Sequence, residues 1–342
     1  MKLLVTGGTG FIGSHTAAAL LDAGHALRLL VRDAGKAKRV FEALGQPVPE
    51  CVVGDVTDAA SVAEALGGCD GVMHAAALVA LDAARAKAVG RTNVQGTQNV
   101  IGEARRLGLT HVVYVSSASA LFDPGGGVIG PDTDPAHLDG SVYSASKART
   151  ERWIREQQDE GVPVSATYPC GVLGPQVPTL TEVHRALPLQ LRLSTLTDTG
   201  VNVVDVRDLA RVHVALLERP GDAGRWIVGG SFLSWEAFAD LLAEITGRRI
   251  PRVRVPGAVL RGLGSMGDAL KRVVSFDLPL SWEAMATATC WPGMDSRRTE
   301  QELGVSFRDP RETVSDTVRW MVEEGHLPAR LGGRLSEGPS PS

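Results

Sequence analysis

Tyr143 and Lys147, in Tyr143-Ser144-Ala145-Ser146-Lys147, are a phenol and an ammonium four residues apart. On a helix, positions i and i+4 share a face, so the two groups would stand one turn from each other. A free phenol holds its proton up to a pKa of about 10, and an ammonium beside it stabilises phenolate and draws that value toward neutral. Such a phenol can give a proton to a developing alkoxide or take one from an alcohol. Upstream, Ser116, Ser117 and Ser119 follow the apolar run that starts at His111. A hydroxyl at a strand end can bond a carbonyl oxygen and hold it for the phenol. The residue types alone leave open which serine acts.

Proton chemistry of this kind is the partner of hydride transfer, and the N-terminus supplies a site for a hydride carrier. Thr6-Gly7-Gly8-Thr9-Gly10-Phe11-Ile12-Gly13 follows Leu3-Leu4-Val5 directly. Gly8, Gly10 and Gly13 satisfy G-x-G-x-x-G, and Gly7 adds a G-x-x-G-x-x-G reading. Behind a strand and ahead of a helix, those glycines permit a tight turn and close approach to a pyrophosphate, which meets the helix N-terminus. Gly7, Gly10, Phe11, Ile12 and Gly13 are the expected binding residues. The second strand ends Leu30-Val31-Arg32-Asp33. Val31 cannot accept from ribose hydroxyls through its side chain, whereas Arg32 can pair with a 2′-phosphate, with Lys36 and Lys38 nearby. NADP is therefore expected, with NAD on Asp33 the alternative. Gly54-Asp55-Val56 follows the third strand. Asp55 can accept from an adenine amino group, or it can serve a turn or helix cap.

These residues need a frame that brings both segments to one crevice. Apolar runs at Lys2–Val5, Ala26–Val31, Glu50–Val53, Gly71–His74, His111–Ser116 and Val164–Tyr168 alternate with helical stretches at Phe11–Ala23, Ser61–Leu66, Arg91–Leu107 and Val142–Gln158. That rhythm predicts an α/β fold, a Rossmann-type doubly wound parallel sheet with its ligand at the strand C-termini. The pattern changes after Pro169. We expect residues 1–172 to form the dinucleotide-binding domain, completed by 201–230. Residues 173–200 and 231–325 form a smaller interleaved substrate lobe, and 326–342 a flexible tail rich in Gly, Ser and Pro. The breaker-rich stretch 123–140 is a candidate mobile rim of the site, a plain surface loop being the alternative. The basic segment 248–276 is expected to be a lobe helix with a solvated face, a helix lying on a membrane surface being the alternative.

Composition narrows the function classes. The chain has 342 residues, 44% hydrophobic and 22% charged, with a net charge of −4, which gives no general case for nucleic-acid binding. Cys51, Cys69, Cys170 and Cys290 form no CxxC pair. Their scatter argues against a zinc site or a disulfide framework, and for a reducing cytoplasm. No apolar run has the length of a membrane span, and no signal-peptide pattern opens the chain.

Together these residues resemble the extended short-chain dehydrogenase/reductase family. The likeness is carried by Thr6–Gly13, Gly54-Asp55, His74-Ala75-Ala76-Ala77, Asn93 in Thr92–Gly96, Ser116-Ser117, Tyr143–Lys147, Pro169-Cys170-Gly171-Val172 and Val204–Asp208. It implies Ser117, Tyr143 and Lys147 as catalytic residues. It also implies that Ala75, Ala76 and Ala77 line the cofactor, that Asn93 supports the active-site helix, and that Pro169, Gly171 and Val172 pass the nicotinamide. A homodimer through the helices of Asn93 and Tyr143 is implied as well. Arg32 and the Asp295–Gly304 stretch resemble the dihydroflavonol reductase and 3β-hydroxysteroid dehydrogenase branch. Sugar-nucleotide dehydratases carry Asp-Glu after the catalytic hydroxyl, where this chain has Ala118-Ser119, so dehydration is not expected. The apolar Ala77–Leu81 stretch and the wall candidates Leu78, Val79, Leu121, Phe122, Leu173 and Val177 point to a largely apolar carbonyl compound or secondary alcohol as the small-molecule substrate. The alternative is a nucleotide-sugar epimerase with tightly held NAD.

Overall fold

The computed structural model describes residues 1–79, 86–138, 141–271 and 281–336. The strands β1 (Lys2–Thr6), β2 (Ala26–Val31), β3 (Glu50–Val53), β4 (Gly71–His74), β5 (His111–Val115) and β6 (Val164–Pro169) lie where the apolar runs place them. Between them run α1 (Phe11–Asp22), α2 (Ala34–Ala43), α3 (Ala59–Leu66), α4 (Ala86–Val89), α5 (Gly96–Arg106) and α6 (Val142–Asp159). A π-helical turn over Gly90–Gln95 leads into α5. The second half adds β7 (Val172–Leu173), α7 (Glu182–Gln190), β8 (Ser194–Leu196), β9 (Gly200–Asp205), α8 (Val206–Leu217), β10 (Gly224–Val228) and β11 (Ser231–Ser234). It ends with α9 (Trp235–Thr246), β12 (Arg252–Arg254), α10 (Gly257–Lys271), α11 (Trp282–Cys290), α12 (Arg297–Leu303), α13 (Pro310–Glu323) and α14 (Ala329–Gly332).

The central sheet has seven parallel strands in the order β10-β6-β5-β4-β1-β2-β3. Successive side chains of a strand point to opposite faces, and here both faces are covered. Leu4, Leu30, Val72, Val112 and Val164 face α3, α5 and α6. Their neighbours Leu3, Val5, Leu29, Met73 and Val113 face α1, α2 and α8. The strand order reverses between β1 and β4, so the crevice at their C-termini is the natural ligand position of such a sheet.

β10 supplies the seventh strand of this sheet, but β9 does not join it. β9 pairs in parallel with β7 and antiparallel with β11 in a separate three-stranded sheet, which corrects the expectation that 201–230 complete the domain as a block. A second core of Leu173, Leu187, Phe238, Leu242, Val314 and Met321 fills the lobe.

Three further expectations are corrected. Helix α2 had no apolar run to announce it; Asp33 caps it and Ala37, Val40 and Phe41 bury one face. The start of the assigned tail is folded: Leu327 and Leu331 are buried in the lobe core, and Arg334 donates to the carbonyls of Ile245 and Glu244. Residues 337–342 lie outside the described residues. The 123–138 stretch is pinned rather than free. Ile129 bridges Met294, and Arg152 and Arg155 of α6 bond the carbonyls of Ala136 (2.8 Å) and Thr133 (2.7 Å). Residues 139 and 140 of that stretch lie outside the described residues.

Candidate active site

The Gly-rich turn leaves β1 at the strand-order reversal. Gly7 has φ +72°, and a Cβ there would stand 2.6 Å from the Ala75 carbonyl and the Ala76 nitrogen. Gly13 faces the Gly7 carbonyl with no room for a side chain. Gly10 caps α1 without any side-chain cap bond, so the first N–H groups of the helix keep their donors for a ligand. An anionic diphosphate fits this cradle in shape and sign. Behind it lies a buried relay that the sequence reading did not assign: Thr6 Oγ1 meets His74 Nδ1 at 2.7 Å, and His74 Nε2 meets Thr97 Oγ1 at 3.0 Å. Burial lowers the His74 pKa to about 3, so the ring is neutral and serves as a hydrogen-bonding strut. Thr6 Oγ1 also accepts from Ala76 N at 3.3 Å, which fixes the Ala75–Ala77 segment beside the glycines.

The other expected cofactor residues divide by what their side chains do. Arg32 is exposed at the end of β2 and makes no ion pair among the described residues. Asp33, its rival, is occupied: it caps α2 by accepting from Lys36 N at 3.0 Å. Asp55 accepts from Thr57 N at 2.9 Å in a tight turn, while Asp58 caps α3. Val56 packs its side chain into the core, and its carbonyl accepts from Asn99 at 2.9 Å. The Phe11 ring turns away from the glycines to meet His15 and His184 edge-on, and Ile12 packs partly buried on the α1 side of the sheet. Only backbone atoms of Val56, Phe11 and Ile12 remain for a ligand.

Tyr143 and Lys147 stand on the first turns of α6, but the ammonium does not bond the phenol. Lys147 Nζ donates to the Val115 carbonyl at 2.9 Å and to the Tyr114 hydroxyl at 3.4 Å. Burial raises the Tyr143 pKa, opposed by the nearby Ser117 and Ser119 hydroxyls. The expected lowering of the phenol by Lys147 is therefore corrected. It is the ammonium that moves down, to about 7, because burial penalises its charge while Glu151 partly restores it. Glu151 is fully buried and takes 2.8 Å and 2.7 Å bonds from Tyr168 and Arg155. Ser117 Oγ accepts from Ser119 Oγ at 2.8 Å, so the two hydroxyls face the phenol as a linked pair. Asn93 joins the crevice to this helix: its amide donates to Ser146 Oγ and to the Leu78 carbonyl, both at 3.0 Å.

The remaining residues of the reading shape the floor. Pro169 ends β6, and Gly171 turns at φ +60° against the Asn202 carbonyl, where a side chain has no space. Val172 then pairs with Val204 in the second sheet, so this segment carries the chain from one sheet to the other. Of the wall candidates, Leu121, Leu173 and Val177 are core residues, which leaves Leu78, Val79 and Phe122. One residue at the site came from a distant part of the chain: Glu283 of α11 accepts from Ser141 Oγ at 2.9 Å and from Ser144 Oγ. It thereby grips the turn that carries Tyr143. The only local signal was Ser281 as the cap of α11.

A model of the NAD dependent epimerase/dehydratase family matches residues 3–229. A provisionally named dihydroflavonol 4-reductase of Synechocystis sp. is 28% identical, over 94% of this chain and 95% of its own length. A 3β-hydroxysteroid dehydrogenase/Δ5→4-isomerase of Mycobacterium tuberculosis is 29% identical, over 82% of this chain and 78% of its own. The solved structure of a nucleoside-diphosphate-sugar epimerase from Pseudomonas aeruginosa superposes with a TM-score of 0.74 at 26% identity, covering 96% of this chain and 99% of that one. With the matched region spanning the glycine cradle, the serine pair and the Tyr143–Lys147 turn, the chain belongs to the NAD dependent epimerase/dehydratase family, the extended short-chain dehydrogenases/reductases, and is an oxidoreductase.

Proposed function

We propose that the protein moves a hydride between NADP and an apolar ketone, aldehyde or secondary alcohol, with Tyr143 as general acid/base. The observation that carries this reading is the phenol of Tyr143 set against the linked hydroxyls of Ser117 and Ser119 at the end of β5. When bound, the dinucleotide supplies or receives the hydride. The chain's own groups do the rest. The backbone N–H groups of Phe11, Ile12 and Gly13 receive the pyrophosphate at the start of α1, in the turn that Gly10 N closes on the Gly7 carbonyl at 2.9 Å, and Arg32 takes the 2′-phosphate. Ala75–Ala77, Asn93, Pro169, Gly171 and Val172 flank the ligand. Ser117 orients the substrate oxygen, and Tyr143 exchanges the proton with it. A charged Lys147 steadies the phenolate through the field of its own charge. Leu78, Val79 and Phe122 give the substrate an apolar wall. The named reductase and steroid dehydrogenase relatives support a ring-bearing carbonyl substrate, and the family resemblance supports a homodimer through α5 and α6.

The test is oxidation of NADPH and of NADH by the purified protein against ketones, aldehydes, steroids and flavanonols. NADPH-dependent turnover of an apolar member is expected. Turnover of a UDP-sugar with none on this panel would replace the reading with epimerisation on tightly held NAD.

A further inference from the structure

We propose that α10 is an interfacial helix whose outward face lies on an anionic lipid bilayer. Val259, Leu263, Met266 and Leu270 are 51%, 43%, 67% and 53% exposed. At 3.6 residues per turn their 4-3-4 spacing places them in one stripe about 60° wide. The face turned to the protein is made of glycine instead: Gly264 and Gly267 are buried, and a Cβ on Gly264 would stand 2.6 Å from the Ser281 carbonyl oxygen. A surface helix of a water-soluble domain ordinarily does the opposite, burying its large apolar residues and showing water its small and polar ones. Here the close approach of α10 to α11 leaves no room for large side chains, and the stripe points away. Trp282, 42% exposed, begins α11, and its backbone N–H donates to Asp268 of α10 at 2.8 Å. An aromatic of this kind beside an apolar stripe is typical of a helix resting at headgroup level.

Charge selects the occupant. Residues 248–271 carry Arg248, Arg249, Arg252, Arg254, Arg261 and Lys271 against the single acid Asp268, in a chain whose net charge is −4. Arg252 and Arg254 are paired with Asp240 and with Asp198 and Glu236; Arg248 donates to the Leu191 and Leu331 carbonyls and Arg261 to Thr289 Oγ1 and Cys290 Sγ of α11, and exposed Arg249 makes no ion pair among the described residues. A second copy packed on the same face by two-fold symmetry would set this basic segment against itself. Anionic headgroups meet the arginines and the acyl boundary meets the stripe. The helix would lie on the bilayer and not cross it, since among the described residues no helix is long and apolar enough to span one. The α10–α11 pair also abuts the catalytic helix, through Glu283 and the serines that flank Tyr143. If the proposed apolar substrate is right, it would reach the crevice from the lipid side; the lipid contact itself does not depend on that substrate.

Cosedimentation of the full chain with vesicles tests the proposal. We expect binding to phosphatidylcholine vesicles that contain phosphatidylglycerol, much weaker binding to phosphatidylcholine alone, and loss of binding as salt rises. The double substitution Leu263→Ser, Met266→Ser should weaken binding tenfold or more without changing the melting temperature, because both positions are exposed in the folded chain. Leu189→Ser with Leu193→Ser, at exposed positions elsewhere in the lobe, should leave binding unchanged. Absence of binding to both vesicle types would overturn the proposal, as would binding insensitive to the α10 substitutions. So would a larger solution mass that those substitutions reduce, since that result assigns the face to another copy. The assay reads binding and not turnover, so its failure leaves the catalytic reading untouched.

Discussion

Helices α6 and α10 part company with water in opposite ways. Along α6, Lys147 and Glu151 are buried and Arg149 stands outside. Along α10, Gly264 and Gly267 are buried while Val259, Leu263, Met266 and Leu270 stand outside. Burying an ionisable group costs several kcal/mol unless partners restore it, and α6 and the strands beneath it provide them: Tyr168 of β6 and Arg155 for Glu151, the Val115 carbonyl of β5 for Lys147. Exposing one apolar side chain is ordinary, but a continuous stripe marks a contact surface. The comparison teaches that a helix violating the usual partition is held that way either by partners inside the fold, as in α6, or by a partner outside it, as we infer for α10.

The sharpest way to break this contrast is to unpair the charges of α6. Glu151→Ala removes the carboxylate from Tyr168 and Arg155, leaving Arg155 only its bond to the Thr133 carbonyl, and should cost about 3–5 kcal/mol in urea unfolding. A loss below about 1 kcal/mol would show that α6 does not depend on its internal partners. Next in size is Tyr143→Phe, which keeps the ring and removes the proton. Turnover should fall by about 10² or more, with NADPH affinity nearly unchanged by fluorescence titration. A near-normal rate would remove Tyr143 from the reaction.

Arg32 offers the opposite case, a charge left in water without an ion pair among the described residues. Arg32→Asp should weaken NADPH binding roughly ten- to a hundredfold and NADH binding far less; equal losses would detach this residue from the 2′-phosphate. A smaller effect concerns pH. The Lys147 ammonium titrates at about 7 in the folded protein, so its charge is present below that value and lost above it. If the charge serves catalysis, kcat/KM for the cofactor should decline as pH rises through about 7. Glu151→Gln removes the carboxylate that holds the ammonium up, and should move that limb to lower pH. Stability runs the other way: the unfolded chain keeps the proton up to the ordinary value of 10.5, so this group's contribution grows from about pH 7 to 10.5 and is lost as pH falls back. Smallest of all, Leu263→Ser on α10 should change unfolding stability by no more than about 0.5 kcal/mol. A larger loss would mean that the stripe is packed against the protein itself.

Much of the frame was legible in the residues. β2, β3 and β4 fall on their apolar runs to the residue; β4 is buried throughout because both its faces are covered, whereas β3, at the sheet edge, leaves Val53 exposed. The glycine cradle was legible because the backbone itself does the work: Gly7 and Gly13 are the only residue type that fits. Helix α2 was not, since its sequence is mostly small and charged and its three buried side chains are few. The tail misled by composition, for Leu327, Leu331 and Arg334 find partners only once α9 and α13 stand beside them. The side chains of Phe11, Ile12 and Val56, expected at the ligand from their positions, pack into the protein instead.

The sequence by itself determined the parallel sheet, the glycine turn and the helical spacing of Tyr143 and Lys147, because each rests on local periodicity or on backbone geometry that a residue type dictates. Only the tertiary structure decided where charges and surfaces go. It turned Lys147 toward Val115 and Tyr114, brought Glu283 from the far lobe onto Ser141 and Ser144, and faced Gly264 and Gly267 of α10 inward and its stripe outward. Those outcomes depend on what packs against each face. A face gains its partner from elements distant in the chain, and no local pattern carries that information.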